Sequence, residues 1–530
     1  MKAINIFTIA ALSVMMLNAC ESDIQPEQKD WDGTTKQYAS VDEKTSTTYY
    51  KPYAGFVGDP MPFFDPNTKT FKVLYLQEFR PNMAGTYHPF WGVKTTDVAN
   101  YTSLGEVLST GSRAEQDAAL GTGCIVYNEQ DKLYYIFYTA NRDQPKAGED
   151  GQVVMYATSP DFKTWTKNQL FRLRGVSYAY SSSDFRDPFV WKSEDDGLWH
   201  MVVSTKTGGK GNLAEFTSPD LQNWEHKGVF MSMMWDRFYE CPDIFKMGDW
   251  WYLVYSEMHQ AIRRVQYFKG HTIDELKACT AADAGIWPDN HEGFLDSRGF
   301  YAGKTASDGE NRYIWGWCPT REGQDNTKTN PTGEPQWAGS LVAHRLIQHA
   351  DGTLTLGEVA GIKNKYSNGK EVKLMAQSDE GVTAQNGTYT LDKNSHVLFN
   401  RLDYHNHISL TVTTQGASDK FGFSFVRGTD SEKYYTVVVN PESDTRRKIN
   451  FEEEGSKGMG FIGAIDSYEF DTPADNTYNV DIYTDNSVLV MYINDVLAYT
   501  NRVYGIQHNC WSVNSYNGTV SLTTPQITTY

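Results

Sequence analysis

Five short runs dense in aromatic and β-branched residues recur along the chain: FKVLYLQ from Phe71, LYYIFYT from Leu133, LWHMVVS from Leu198, WYLVYSE from Trp251 and YIWGWCP from Tyr313. Successive runs begin 53 to 65 residues apart. Turn-forming clusters such as Asp65-Pro66-Asn67, Asn128-Glu129-Gln130-Asp131 and Asp195-Asp196-Gly197 precede them, as hairpins require. A second repeat runs beside the first. Thr158-Ser159-Pro160-Asp161-Phe162-Lys163-Thr164-Trp165 returns 59 residues later as Thr217-Ser218-Pro219-Asp220-Leu221-Gln222-Asn223-Trp224, with a weaker relative at Thr95-Thr96-Asp97. Five units of antiparallel strands at this period predict a five-bladed β-propeller over residues 49–364. A sandwich with chance resemblance would not explain the doublet or the spacing. From about 365 the texture becomes alternating strands (HISLTVTT, FGFSFVRG, YYTVVVN, YNVDIYT), which predicts a β-sandwich over 365–530. The expected fold class is all-β, a propeller followed by a sandwich.

Composition sharpens this reading. The 530 residues carry 48 Lys+Arg against 66 Asp+Glu, and this acidic balance without basic runs argues against a nucleic-acid partner. Tyr (33), Phe (26) and Trp (14) are abundant enough to line clefts as well as fill cores. The first twenty residues read as an export signal: Met1-Lys2-Ala3, an apolar run from Ile4 to Leu17, then Leu17-Asn18-Ala19-Cys20. That ending resembles a bacterial lipoprotein box, and the acidic residues from Glu21 resemble surface-export signals of Bacteroidetes lipoproteins. The resemblance implies lipidation at Cys20 and a lipid-anchored protein at the cell surface, with residues 21–48 as a flexible tether. An ordinary cleaved secretory signal is the plainer alternative. The other five cysteines (124, 241, 279, 318, 510) are odd in number and widely spaced, so they read as buried hydrophobes, not disulfides. No C-x-x-C or H-E-x-x-H occurs; no metal and no cofactor are expected.

The candidate chemistry lies upstream of the five aromatic runs. Asp59, Thr122, Asp187, Glu240 and Tyr301 precede the run starts by 12, 11, 11, 11 and 12 residues. They are expected at equivalent places on the innermost strand of each blade, ringing one mouth of the channel. Three are acids, and converging acids repel one another and perturb each other's protonation, a signature of function. Two carboxyl groups across a cleft can hydrolyse a glycosidic bond, while a third can hold sugar hydroxyls and stabilise positive charge at the anomeric carbon.

Gly58-Asp59-Pro60, Phe185-Arg186-Asp187-Pro188 and Glu240-Cys241-Pro242-Asp243 resemble, in that order, the signature motifs of glycoside hydrolase family 32, the invertase, inulinase and levanase family. Leu74-Tyr75-Leu76-Gln77, Trp91-Gly92-Val93, Phe300-Tyr301-Ala302, Trp315-Gly316-Trp317 and Trp337-Ala338-Gly339 resemble further family segments, and 485–504 resembles a hairpin of its C-terminal sandwich. The resemblance implies a retaining β-fructosidase of levan- or inulin-type fructans. Asp59 would be the nucleophile, Glu240 the acid/base, and Asp187 the transition-state stabiliser, kept ionised by Arg186. Gln77, Trp91, Arg186 and Tyr301 would bind substrate. Asp117 in the Glu115-Gln116-Asp117 loop has no family counterpart; it reads either as a replacement polar contact or as part of a solvated loop. One departure stands out. Where the family reads W-M-N-D-P-N-G, this chain has Phe56-Val57-Gly58-Asp59-Pro60-Met61-Pro62, without the Asn that contacts sugar. Two other readings stay open: an inverting furanosidase resembling family 43, and a glycan-binding propeller without turnover. The loop Arg321 to Gln336 could border the cleft. Oligosaccharide or polysaccharide is the expected partner, and oligomeric state is left open.

Overall fold

The computed structural model describes residues 27–29, 35–37, 48–52, 55–79, 88–233, 237–257, 264–279, 293–321, 335–426, 434–453 and 463–530. The export signal with Cys20, most of the tether, and residues 322–334 of the long loop lie outside the described residues.

The chain is all-β and forms a five-bladed propeller followed by a sandwich. Three blades are separate four-stranded antiparallel sheets, with innermost strands Ala119–Asn128, Phe185–Lys192 and Glu240–Met247. The first blade (innermost strand Phe56–Asp65) and the last (innermost strand Tyr301–Ser307) are joined into one eight-stranded sheet. The joint is a single bridge between Gly339 and Val57, reinforced where Leu341 N–H donates to the Tyr50 carbonyl at 2.7 Å. Gly339 is required there: a Cβ would sit 1.7 Å from the Cys318 carbonyl oxygen. Each innermost strand touches the next around the ring, so the barrel of blades is closed.

The aromatic runs are the second strands of the blades. These strands are covered on both faces by neighbouring blades, which is why Thr70–Glu78 and Leu133–Asn141 are buried almost throughout, without polar alternation. The Thr-Ser-Pro-Asp repeats join the third strand to the fourth. Asp161 Oδ1 accepts from the N–H groups of Lys163 and Thr164, and Asp220 does the same with Gln222 and Asn223. Asp97 makes the equivalent turn in the first blade. The repeated Trp165 and Trp224 pack edge-on to Phe162 and Phe137 in the cores between blades.

After the helix Ala360–Ser367 the chain enters two antiparallel sheets that share one apolar core, including Phe421, Phe423, Val437, Met491 and Trp511. The hairpin Val488–Ile493 and Leu497–Arg502 faces the propeller. Arg502, nearly fully buried, crosses the seam and donates to the carbonyls of Cys318 (2.7 Å) and Pro319 (3.1 Å) and to the hydroxyls of Ser340 and Ser487. Beside it, Asp296 accepts from Thr500 N–H at 2.7 Å and lies 2.9 Å from His344 Nε2. All five described cysteines are free thiols.

Candidate active site

Proline shapes the site. Pro60, Pro188 and Pro242 lack an N–H for the ladder, and at each the pairing to the second strand skips. Innermost strands two and five slip at the same level, at Thr122 and at Ala302-Gly303. Every innermost strand therefore carries one extra residue near its start. In four blades that residue is left-handed: Asp59 (φ 29°), Asp187 (φ 56°), Cys241 (φ 50°) and Ala302 (φ 55°). A regular strand sends consecutive side chains to opposite faces, whereas a bulge aims two in a row at the axis.

This corrects the expected equivalence of the five positions. By register, Asp59, Thr122, Asp187, Cys241 and Ala302 correspond; Glu240 and Tyr301 stand one residue earlier, level with Gly58 and Arg186. The acids nonetheless meet. Asp59, Thr122, Asp187, Glu240 and Tyr301 all line one cavity of about 370 Å³, together with Arg186, Asn141, His88, Trp317 and Trp337. Lys304 Nζ reaches from the fifth blade to the Gly123 carbonyl of the second at 2.9 Å.

The three carboxyl groups sit in different surroundings. Asp59 is half-buried and accepts from Thr122 Oγ1 (2.7 Å) and Trp317 Nε1 (3.0 Å). Glu240, also half-buried, accepts from Arg186 (3.1 Å) and from the Tyr301 hydroxyl (2.5 Å). Asp187 is buried and accepts from Cys241 N–H at 3.0 Å, while its own N–H is held by Thr139 Oγ1. Burial pushes its carboxyl up to about 7; Arg186 and the Cys241 N–H pull it down, and Glu240 and Asp59 push it up further. Arg186 acts on Asp187 in the expected direction, favouring its ionised form, but burial is the larger effect. The Arg186 guanidinium binds Asp184 and Glu240 and lies 3.8 Å over the Phe238 ring, and its charge does not offset the burial of Asp187. Burial works against the Arg186 charge too, but Asp187, Glu240 and Asp184 outweigh it and hold the guanidinium more firmly protonated than usual.

Other expected contacts fall elsewhere. Gln77 is fully buried beside Gly55, away from the cavity lining. Trp91 lies opposite Tyr75, edge-on to Phe79, and packs between blades. Asp117 is neither a sugar contact nor solvated: it is fully buried, with Lys167 Nζ at 2.5 Å and the Tyr138 hydroxyl at 3.3 Å. Met61 is buried under Gly123 N–H, so this departure from the family pattern is a packing change. The aromatic walls are instead Trp317 and Trp337, with His88. Trp317 and Trp337 stand in two of the segments that resemble the family, and Trp317 was also reachable by register, since it pairs with Tyr301; His88 carries no periodic signal.

Among the described residues one trio could hold a cation, Glu358, His407 and Asp481. It lies at the seam with the sandwich, where Lys363 Nζ already sits 2.6 Å from Glu358 and His407 pairs with Asp481 at 2.7 Å.

Comparison with known proteins bears on the family and the fold. The family model described as glycosyl hydrolases family 32 N-terminal domain matches residues 49–357, and that described as GH32, BT1760-like, C-terminal domain matches residues 352–527. Sucrose-6-phosphate hydrolase of Vibrio alginolyticus is 28% identical over 417 residues, covering 76% of this chain and 75% of that protein. Fructan 6-exohydrolase of Beta vulgaris is 26% identical over 247 residues, 43% of this chain and 40% of that protein. Among solved structures, fructan 1-exohydrolase IIa from Cichorium intybus aligns with a TM-score of 0.68 at 14% identity, over 90% of this chain and 96% of its own. Exo-inulinase from Aspergillus awamori gives 0.68 at 15% identity, over 92% and 99%. These structural likenesses concern the fold.

Proposed function

The chain belongs to glycoside hydrolase family 32, the glycosidases of fructosyl linkages, and from that premise we propose that it hydrolyses levan- or inulin-type fructans with retention of configuration. The observation that carries this reading is the meeting of Asp59, Asp187 and Glu240, from three different blades, in one cavity walled by two tryptophans. Asp59, fixed by Thr122 and Trp317, attacks the anomeric carbon and forms a fructosyl ester. Glu240 donates a proton to the departing oxygen, then takes one from the water that cleaves the ester. Arg186 and Tyr301 hold its two oxygens in place between these steps. Asp187, as its carboxylate, hydrogen-bonds ring hydroxyls and stabilises the positive charge developing at the anomeric carbon.

Product analysis on levan, inulin, sucrose and arabinan tests the substrate class, and NMR of the first-formed anomer tests retention. Release of fructose or fructo-oligosaccharides with retained configuration is expected. Inversion would overturn the double displacement, and arabinan turnover without fructan turnover would overturn the substrate. Retained fructan binding without release, equal in wild type and Glu240→Gln, would favour a binding protein.

The proposal includes a site of action. Lipid on Cys20 would tether the enzyme at the cell surface, where polymers too large to be imported are met. Mass spectrometry of the mature N-terminus should find a diacylglyceryl cysteine at Cys20; a soluble product cleaved elsewhere would refute it.

A further inference from the structure

Asn141 lines the cavity but has no part in the steps above. It ends the second strand of its blade, Leu133–Asn141, and pairs with Ala119, the first residue of the innermost strand. Two residues earlier stands Thr139, fully buried, with its hydroxyl holding the Asp187 N–H. Asn141 is only half-buried, so the strand runs from the level of the carboxyl groups towards solvent. Two residues of strand advance roughly 6.6 Å, close to the length of one sugar unit. The orientation of the Asn141 amide follows from a donor that has no choice. Phe185 N–H can only donate, and Gln152 Oε1 accepts from it at 3.1 Å. Gln152 Nε2 therefore faces the other way and donates to Asn141 Oδ1 at 3.0 Å. Asn141 is left presenting Nδ2, which reaches the Ala119 carbonyl only at a long 3.5 Å. Gly121, also in the cavity lining, lies against this amide. A Cβ there would come 3.1 Å from Nδ2 and 2.9 Å from the Thr139 Cβ, so glycine leaves the N–H uncovered.

We propose that Asn141 Nδ2 donates a hydrogen bond to a hydroxyl oxygen of the leaving-group sugar, the unit next to the one held between Asp59 and Asp187. The assignment rests on the fructosidase reading above. The reacting unit occupies the level of the carboxyl groups, and its neighbour extends one unit towards the mouth, where Asn141 stands. An N–H there needs an acceptor, and sugar hydroxyls supply one. Gln152 is a positioning residue: it holds the Asn141 oxygen and so keeps the donor turned to the cavity.

The test compares wild type, Asn141→Ala, Gln152→Glu and the double variant on inulin-type and levan-type oligosaccharides. Each is also assayed on β-fructosyl fluoride, whose leaving group is a single fluorine. A carboxylate at 152 still accepts from Phe185 N–H but no longer donates, so the Asn141 amide turns and offers its oxygen to the cavity. Each single variant should lose about five- to tenfold in kcat/KM on the oligosaccharides, with the fluoride altered less than threefold. The double variant should lose no more than either. Unchanged oligosaccharide turnover in either variant, multiplying losses, or equal losses on the fluoride would overturn the contact, the last because it marks a disturbed carboxyl centre. A wild type that hydrolyses no oligosaccharide refutes the fructosidase reading, and calorimetric affinity for the oligosaccharides then decides the contact. A loss of about five- to tenfold in Asn141→Ala would uphold it; unchanged affinity, or no binding, would refute it.

Discussion

Replacing Asp187 by Asn should remove activity and stabilise the fold, with a gain that depends on pH. In the folded protein this buried carboxyl has its pKa raised from 3.8 to about 7. Between those values the native state holds a proton that the unfolded chain has released, so stability falls as pH rises through this window. Below about 4 both states are protonated and nothing is lost; above about 7 both are ionised and the whole penalty is present. The window spans roughly three pH units, and at about 1.4 kcal/mol per unit the ionised carboxylate costs the fold up to about 4 kcal/mol. An amide has no charge to desolvate, and its oxygen can still accept from Cys241 N–H. Asp187→Asn should therefore gain about 2–4 kcal/mol at pH 8 and close to nothing at pH 4. At about 1–2 °C per kcal/mol for a domain this large, calorimetry should find the propeller transition several degrees higher at pH 8 only. A variant that melts below wild type at pH 8, or above it by the same margin at both pH values, would refute the argument that burial strains this carboxylate.

Three further outcomes follow from the same contacts. Glu240→Gln should lower kcat on fructan by about 10²–10⁴-fold while leaving substrate affinity nearly intact, measured by initial rates and by calorimetric titration. Arg186→Gln should shift the acid limb of kcat/KM upward: Arg186 lowers the Asp187 pKa, so its loss makes the ionised form scarcer at a given pH. A limb that stays put or moves down would show that another group sets it. Arg502→Met should cost about 3 kcal/mol or more in denaturant unfolding, because the carbonyls of Cys318 and Pro319 lose a donor inside a buried seam; a change below about 1 kcal/mol would mean that Arg502 adds little to the hold of the seam.

The parts of this molecule that sequence reveals are those where one strand or turn carries its own reason. Second strands buried on both faces must be apolar throughout, and so the five aromatic runs announce five blades. An Asp that caps its own turn repeats wherever the turn repeats, at Asp97, Asp161 and Asp220. Asp59 and Asp187 directly precede a proline that forces a bulge and Glu240 stands two residues before one, and the bulge widens the set of residues that reach the axis. That same bulge hid the register: an even spacing count cannot tell Glu240 from its successor Cys241, since both face the cavity. Contacts that depend on distance from the axis were legible only in part: Arg186 and Tyr301 line the cavity, whereas other expected contacts do not. Trp91 and Asp117 have the residue types of a sugar site, yet one lies on a third strand between blades and the other is tied to Lys167. The walls that do form come from far apart in the chain, Trp337 closing on Gly58 and His88 closing on Trp337.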